Sequence, residues 1–296
     1  MTEIIPSLAS VASRYDAVFC DLWGCLHNGR TAYPAAVAAL RAYRAQGKVV
    51  VLLTNSPRPK SGVLEQIAHL GVPRDVWDEV ATSGDAAQYA LITGAVGRRV
   101  YHIGAARDES FFAEFADDLQ ATLASEPPIV RVALREAEGI VCTGLVNDEV
   151  ETPADYRAIL LYGKTMGLPM LCANPDLVVD LGDKRVYCAG AIAAAYEQMG
   201  GRALYFGKPH PPIYDLARRR LAAFTGIADP QILCIGDGIA TDIQGGIAEG
   251  MDTLFITAGL AAAEFGDDPA APDAKLVHAW LEARQMSASY AMGLLV

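Results

Sequence analysis

The chain has 296 residues, of which 52% are hydrophobic and 20% are charged. This balance is typical of a globular protein, and the length favours a core domain with an inserted second lobe over one simple domain. The formal net charge of -11 would repel nucleic-acid backbones and anionic lipid surfaces, so neither is an expected partner.

The six cysteines are scattered, and their spacing fits neither a zinc site nor a disulfide framework. This usage is typical of proteins in a reducing compartment. No apolar run approaches the roughly 20 residues that a membrane span requires, and the N-terminal residues do not resemble an export signal. We therefore expect a soluble, cytoplasmic protein.

In chain order, the first predicted strand is Ala17–Cys20, which ends directly before Asp21. A helix follows, with Pro34 in its first turn and Gly47 at its end. The next run, 48–53, is an almost continuous Val and Leu stretch of the kind that is buried on both faces of a parallel sheet. It leads to Thr54 and Asn55, so two successive strands end in polar residues.

Residues 98–203 contain strand-like runs at 100–103, 139–142 and 169–172, and a helix preceded by Thr152 and Pro153. We interpret this segment as an inserted α/β lobe and assign residues 1–97 and 204–296 to the core. The core pattern returns after the insertion, where the runs 203–206, 232–235 and 253–256 are predicted strands.

This alternation of strands and helices predicts an α/β fold with a parallel, Rossmann-like sheet. Ligands of such sheets bind at the carboxyl ends of the strands. We therefore expect the polar residues that follow the core strands to share one site. They are Asp21, Thr54 and Asn55, Lys208, and Asp237 with Asp242.

Asp21 is the candidate nucleophile, because a carboxylate at a strand end, close to Gly24, can be exposed for in-line attack on phosphorus or carbon. The alternative for a single aspartate in this context is to cap its own turn. Asp237 and Asp242 would bring further negative charge to the same place, and oxygen ligands beside a phosphate suit Mg²⁺. A turn followed by a helix cap is the alternative for this second pair.

Lys208 follows a strand between Gly207 and Pro209. There its ammonium could hold a nucleophilic carboxylate and a phosphoryl oxygen together, although most single lysines are surface residues. Thr54 and Asn55 offer a hydroxyl group, an amide and backbone donors to an oxyanion.

In order and strand context, these residues resemble the four motifs of the haloacid-dehalogenase-like (HAD) superfamily. The inserted lobe resembles the large α/β cap of subfamily IIA, which contains N-acetylglucosamine-phosphate, 4-nitrophenyl-phosphate and pyridoxal-phosphate phosphatases. Further matches to its pattern are Thr82-Ser83, Asn174-Pro175-Asp176, Ala189-Gly190-Ala191 and Gly207-Lys208-Pro209. The resemblance covers roughly residues 15–260.

The resemblance implies a Mg²⁺-dependent hydrolase of a small phosphorylated metabolite, such as a sugar phosphate, that works through an aspartyl-phosphate on Asp21. The ligands of the metal would be the Asp21 carboxylate, the Trp23 backbone carbonyl and Asp237, supported by Asp242. Thr54, Asn55 and Lys208 would hold the phosphoryl oxygens, and Asn174 and Asp176 are associated with closure of the cap over the substrate. A homodimer is also compatible with the resemblance, because caps of this subfamily often take part in dimers.

The sequence departs from the family pattern at Trp23, where phosphatases of the superfamily carry a second aspartate that acts as general acid and base. Indole cannot exchange a proton near neutral pH. His27 is the nearest group that could replace the acid, since its unperturbed pKa lies near neutrality. Two alternatives stay open: a dehalogenase that uses the same Asp21, because such enzymes also lack this acid, and a phospho-ligand-binding protein without turnover.

Overall fold

The computed structural model describes residues 2–181, 184–227 and 230–296 of the chain. Its strands are β1 (Glu3–Ile4), β2 (Ala17–Cys20), β3 (Val49–Thr54), β4 (Glu79–Thr82), β5 (Arg99–Ile103), β6 (Val130–Arg131), β7 (Gly139–Cys142), β8 (Pro169–Cys172), β9 (Val178–Leu181), β10 (Lys184–Tyr187), β11 (Arg202–Tyr205), β12 (Ile232–Gly236), β13 (Asp252–Ile256) and β14 (Tyr290–Met292).

Helices connect most of the parallel strands. They are α1 (Pro34–Arg44), α2 (Lys60–His69), α3 (Ser83–Ile92), α4 (Ser110–Ala113), α5 (Asp117–Ser125), α6 (Arg157–Thr165), α7 (Ala189–Gln198), α8 (Pro211–Thr225), α9 (Gln244–Ala248) and α10 (Ala274–Ala283). Within the described residues, no helix combines the length and the apolar character that a membrane span needs.

The chain divides into two compact units. The first comprises Met1–Thr54, Gln66–Ala81 and Tyr214–Val296, and the second comprises Asn55–Glu65 and Thr82–Ile213. Both boundaries predicted from the sequence, 97/98 and 203/204, fall inside the second unit.

The first unit is built on a seven-stranded sheet of order β1-β14-β13-β12-β2-β3-β4. The pairs from β1 to β3 are parallel. Every residue of β2, β3 and β12 is buried, as expected for apolar strands that are covered on both faces. The predicted strand Ala17–Cys20 and the helix start at Pro34 are confirmed, and α1 buries one apolar face, which includes Val37, Leu40 and Tyr43.

The second unit contains a five-stranded parallel sheet of order β11-β8-β7-β5-β6 and an antiparallel hairpin of β9 and β10. The runs 139–142 and 169–172 form strands with the predicted limits. The run 203–206 was expected to extend the core sheet. Instead, β11 pairs with β8, and Leu204 and Phe206 pack against apolar residues of the second unit. The packing partner, which local sequence does not reveal, decides which sheet this strand joins.

Candidate active site

Asp21 and Asp237 follow two neighbouring strands of the first sheet. In the parallel pair of β2 and β12, Cys20 lies opposite Ile235, and the Asp21 amide donates to the Ile235 carbonyl at 2.9 Å. The two aspartates therefore emerge at the same edge of the sheet, where both are buried. Ligand atoms of their carboxylates and the Cys25 Sγ all lie within 4.8 Å of one another. The structure thus brings together the predicted nucleophile and a predicted metal ligand.

Glycines make room for the Asp237 carboxylate. A Cβ atom on Gly24 would lie 2.1 Å from Asp237 Oδ2, and one on Gly259 would lie 2.0 Å from the same oxygen. The backbone amide of Leu260 donates to Asp237 Oδ2 at 3.0 Å. Because any larger residue at these glycines would collide with the carboxylate, the local backbone fixes where that charge sits.

Asp242 lies in a short π-helix, Ile239–Ile243, that follows the Gly236-Asp237-Gly238 turn. Its Oδ2 accepts from the Gly238 amide at 3.1 Å and from the Thr241 hydroxyl at 3.3 Å. A Cβ on Gly236 would lie 2.0 Å from Asp242 Cγ, so the side chain folds back onto the turn. Asp242 therefore shapes the loop that presents Asp237, and it is not among the ligand atoms grouped within 4.8 Å.

Cys25 is a neighbour of the acidic pair that the sequence analysis did not assign to the site. Burial raises the pKa of its thiol well above the usual value, and the charges of Asp237 and Asp21 raise it further. The thiol therefore stays protonated at neutral pH, and a protonated sulfur is a poor ligand for a hard cation. The oxygen atoms are the better donors in this cluster.

Trp23 lies at the position where the sequence resemblance predicts a general acid, and the structure shows what surrounds its indole. Its indole contacts the His27 ring edge to face, with centroids 5.4 Å apart. It also lies against Gly29, where a Cβ would be 2.5 Å from Trp23 Cζ2 and the backbone has a φ of +81°. Glycine at position 29 thus permits both the left-handed turn and the close approach of the indole.

His27 is buried at 1% exposure, and its Nδ1 accepts from the Gly29 amide at 3.1 Å. Burial lowers the pKa of His27 to about 4. The imidazole is therefore neutral at physiological pH, with its proton on Nε2. This state weighs against His27 as the replacement for the missing acid, because a neutral imidazole has no readily lost proton.

Thr54 ends β3, the strand that flanks β2 on the side opposite β12, and it is 8% exposed. The first unit therefore presents Thr54, Asp21 and Asp237 at the ends of three consecutive strands.

Asn55, Asn174, Asp176 and Lys208 lie in the second unit. The Asn55 side chain contacts Asp176 and the backbone of Lys208. Asn174 Oδ1 accepts from the Asp176 amide at 3.0 Å, so it closes the turn that carries Asp176. Lys208 itself is 2% exposed. The sequence motifs assign Asn55 and Lys208 to phosphate binding, and Asn174 and Asp176 to the cap. They do not predict the contacts among these residues.

Comparison with known proteins identifies the family. The model described as haloacid dehalogenase-like hydrolase matches residues 18–116, and the HAD-hydrolase-like model matches residues 205–283. A crystal structure of a hydrolase of the haloacid dehalogenase-like family from Brucella suis is 40% identical, has a TM-score of 0.84, and is matched over 99% of this chain and 100% of that chain. The chain belongs to the haloacid-dehalogenase-like hydrolases.

Within that family the chain lies in the phosphatases of subfamily IIA, as the sequence resemblance predicted. The ribonucleotide monophosphatase NagD of Escherichia coli is 26% identical over 83% of this chain and 88% of the relative. HAD phosphatases generally use a divalent metal. The glycerol phosphate phosphatase of Mycobacterium tuberculosis, solved in complex with magnesium, shares the fold with a TM-score of 0.63 and 24% identity over 86% of this chain and 71% of that chain.

Proposed function

We propose that this HAD phosphatase hydrolyses a phosphate monoester of a small metabolite, such as a nucleotide or sugar phosphate, through an aspartyl-phosphate on Asp21. The observation that supports it best is the pair of buried carboxylates, Asp21 and Asp237, with ligand atoms within 4.8 Å at the ends of neighbouring strands. The name of the NagD relative, a ribonucleotide monophosphatase, supports the substrate class.

The donor set fits Mg²⁺. Two carboxylates this close repel each other when buried, and a hard divalent cation with oxygen ligands offsets that repulsion. In the proposal Asp21, Asp237 and the backbone carbonyl of Trp23 hold the ion, and Asp242 orients the loop that carries Asp237. When bound, the ion supplies positive charge that lets an anionic nucleophile approach an anionic phosphate.

The residues of the chain then carry two steps. An Asp21 oxygen attacks phosphorus, the bond from phosphorus to the leaving oxygen breaks, and the leaving group departs with the electron pair. Water next attacks the phosphorus, the bond to Asp21 breaks, and the carboxylate and inorganic phosphate are released. Thr54, Lys208 and the backbone amide of Asn55 are the proposed donors to the phosphoryl oxygens. Asn174 and Asp176 are the residues of the cap that we associate with its closure over the substrate.

Trp23 cannot protonate the leaving oxygen, so the leaving group should govern the rate. Aryl and acyl phosphates, whose leaving groups are stable anions, are expected to react faster than alkyl phosphates such as sugar phosphates. The second step lacks a base at the same position, and the aspartyl-phosphate is expected to persist longer than in an enzyme with aspartate there.

The test is hydrolysis of 4-nitrophenyl phosphate by protein stripped of metal with a chelator, before and after addition of Mg²⁺. We expect release only with Mg²⁺, and none from Asp21→Asn. Asp267→Asn, which changes an exposed loop aspartate, is the matched control and should behave as the wild type. Halide release from a haloacid without metal would establish the dehalogenase alternative, and phosphate binding without turnover would establish the binding-protein alternative.

A homodimer stays a proposal from the resemblance of the cap. Large apolar side chains of the second unit are exposed, among them Val150 at 74%, Met166 at 57% and Leu177 at 57%. Light scattering coupled to size-exclusion chromatography measures the molecular mass of the protein in solution. A monomer at micromolar concentration would refute the homodimer.

A further inference from the structure

The side-chain amide of Asn55 is fully engaged in hydrogen bonds. Its Nδ2 donates to Asp176 Oδ1 at 2.8 Å and to the Lys208 carbonyl at 3.1 Å, and its Oδ1 accepts from the Lys208 amide at 2.7 Å. A primary amide has two N–H groups, and both are used here. Since Asn55 is only 4% exposed, these contacts replace those with water.

This engagement changes the role that the sequence suggested for Asn55. A phosphoryl oxygen needs a donor, but neither N–H of the side chain is left to provide one. The side-chain carbonyl oxygen would repel an anion. Only the backbone amide of Asn55 could serve a phosphate.

The contacts instead hold the backbone of Lys208 from both sides. The amide of Asn55 pairs with the N–H and the C=O of the same residue, which fixes the peptide units on either side of the Lys208 Cα. The lysine side chain is itself buried, so the backbone anchor strongly limits where the ammonium group can lie. We propose that Asn55 is a positioning residue that sets the place of Lys208, an inference that rests on the proposed function of Lys208 in binding the phosphoryl group.

Asp176 determines which way the Asn55 amide faces. An ionised carboxylate only accepts hydrogen bonds, so Nδ2 must point toward it, and a flipped amide would place two oxygens against each other. The position of Asp176 is fixed in turn by the Asn174 turn that follows β8. The loop 174–176 is therefore linked to Lys208 through one amide group.

Gly207 provides a steric check on the same arrangement. A Cβ there would lie 2.4 Å from Asn55 Oδ1, 2.6 Å from Ser83 Oγ and 2.7 Å from Pro175 Cδ. Gly207→Ala should therefore push the Asn55 amide from its place without changing any charge.

The experiment exchanges the donor and the acceptor. Asn55→Asp places two carboxylates in contact and turns an acceptor toward the Lys208 carbonyl, and we expect kcat on 4-nitrophenyl phosphate to fall about 100-fold with a smaller change in KM. Asp176→Asn can still present an oxygen to Asn55, so its loss should be at most about 5-fold.

The double variant, Asn55→Asp with Asp176→Asn, restores a donor and an acceptor between positions 55 and 176, while the oxygen that faces the Lys208 carbonyl stays. The new amide at position 176 can donate to the new carboxylate at position 55, and that carboxylate still accepts from the Lys208 amide. We therefore expect kcat to recover to within about 10-fold of the wild type.

Hydrogen exchange at the Lys208 amide gives a readout that does not depend on activity. The Lys208 amide should exchange slowly in the wild type, at least about 10-fold faster in Asn55→Asp, and slowly again in the double variant. Asn147→Asp is the matched control, because Asn147 is exposed. Its Oδ1 accepts a hydrogen bond from the Glu149 amide at 3.1 Å, and an aspartate oxygen can accept the same bond. This variant should leave both kcat and exchange unchanged, and thermal unfolding checks that every variant is folded.

The outcomes separate the two proposals. If the wild type releases no phosphate but the exchange rates of the Lys208 amide change among the variants as expected, the proposed function is refuted. The contact between Asn55 and the Lys208 backbone is then still supported. Active wild type with unchanged kcat in a folded Asn55→Asp, or a double variant no better than that single variant, would refute the positioning role of Asn55. Gly207→Ala with full kcat would also count against it.

Discussion

Asp21 and Asp237 in the first unit and Asn55 and Asp176 in the second unit are two pairs of polar side chains that follow strands, yet their chemistry differs. The first pair carries two like charges within a few ångströms, held close by glycines at positions 24 and 259. The second pair joins an amide donor to a carboxylate acceptor. The two like charges of the first pair need a cation to offset their repulsion, whereas the donor and the acceptor of the second pair satisfy each other. A ligand site can therefore be distinguished from a structural anchor by whether its charges balance internally.

The largest expected effect comes from removing one charge of the first pair. Asp237→Asn should lower Mg²⁺-supported hydrolysis of 4-nitrophenyl phosphate by about 1,000-fold or more, since the metal would lose an anionic ligand. Titration with Mg²⁺ should show a weaker apparent affinity. Asp267→Asn is again the control, and an unchanged rate in a folded Asp237→Asn would exclude Asp237 as a ligand.

The pH dependence of stability tests the buried imidazole beside Trp23. Burial lowers the pKa of His27 to about 4, below the value of about 6.5 in an unfolded chain. Between these values the unfolded state binds more protons, so the contribution of His27 is complete above pH 6.5 and is lost as the pH falls toward 4. This loss should reach about 3 kcal/mol in the free energy of unfolding.

Urea unfolding at pH 7.5, 5.5 and 4.5 measures that loss. His27→Asn can keep the acceptor for the Gly29 amide, and its stability should fall less steeply with acid than that of the wild type. His69→Asn, at an exposed position, should retain the wild-type slope. A slope in His27→Asn as steep as in the wild type would show that another group is responsible.

Trp23→Asp places an acid at the position where the sequence resemblance predicts one. If the missing acid limits the first step, turnover of phosphates with poor leaving groups should rise about 100-fold, the lower end of what general acid catalysis contributes. Aryl phosphates should gain less. Comparing the two substrate classes separates this effect from a general change in activity, and a folded variant with a flat or lower rate on both would show that the indole has another purpose.

Gly259→Ala probes the close packing that positions the Asp237 carboxylate. The added Cβ would lie 2.0 Å from Oδ2, so the carboxylate must move, and Mg²⁺ affinity should drop about 10- to 100-fold. Gly62→Ala is the matched control, because its Cβ would have only ordinary contacts of 3.5 Å or more with Arg58. Equal metal affinities in the two variants would contradict the assigned role of Gly259.

The smallest effect concerns two adjacent hydroxyl groups of the second unit. Thr82 Oγ1 accepts from the Asp85 amide at 2.9 Å and caps α3, so Thr82→Ala should cost about 1 kcal/mol. Ser83 Oγ is buried and has no hydrogen-bond partner among the described residues, so Ser83→Ala should cost less than about 0.5 kcal/mol or should stabilise the protein. Thermal unfolding measures both, and a larger loss for Ser83→Ala would show that its hydroxyl has a partner.

Local sequence was sufficient for the strands that lead to the site. Apolar runs bounded by polar residues or glycine predicted Ala17–Cys20, Gly139–Cys142 and Pro169–Cys172 with their observed limits. A parallel sheet brings the carboxyl ends of its strands to one edge, and this rule, with the motif order, was enough to group Asp21 with Asp237. The family followed from the same residues.

Only the tertiary structure shows the contacts between residues that lie far apart in the chain. The Asn55 amide meets Asp176 across 121 positions and Lys208 across 153, and neither partner can be inferred from the residues around Asn55. The same holds for β11, whose apolar run fits either sheet until packing assigns it to β8. Strand formation depends on nearby residues and burial, whereas the role of a polar side chain depends on which distant atoms complete its hydrogen bonds.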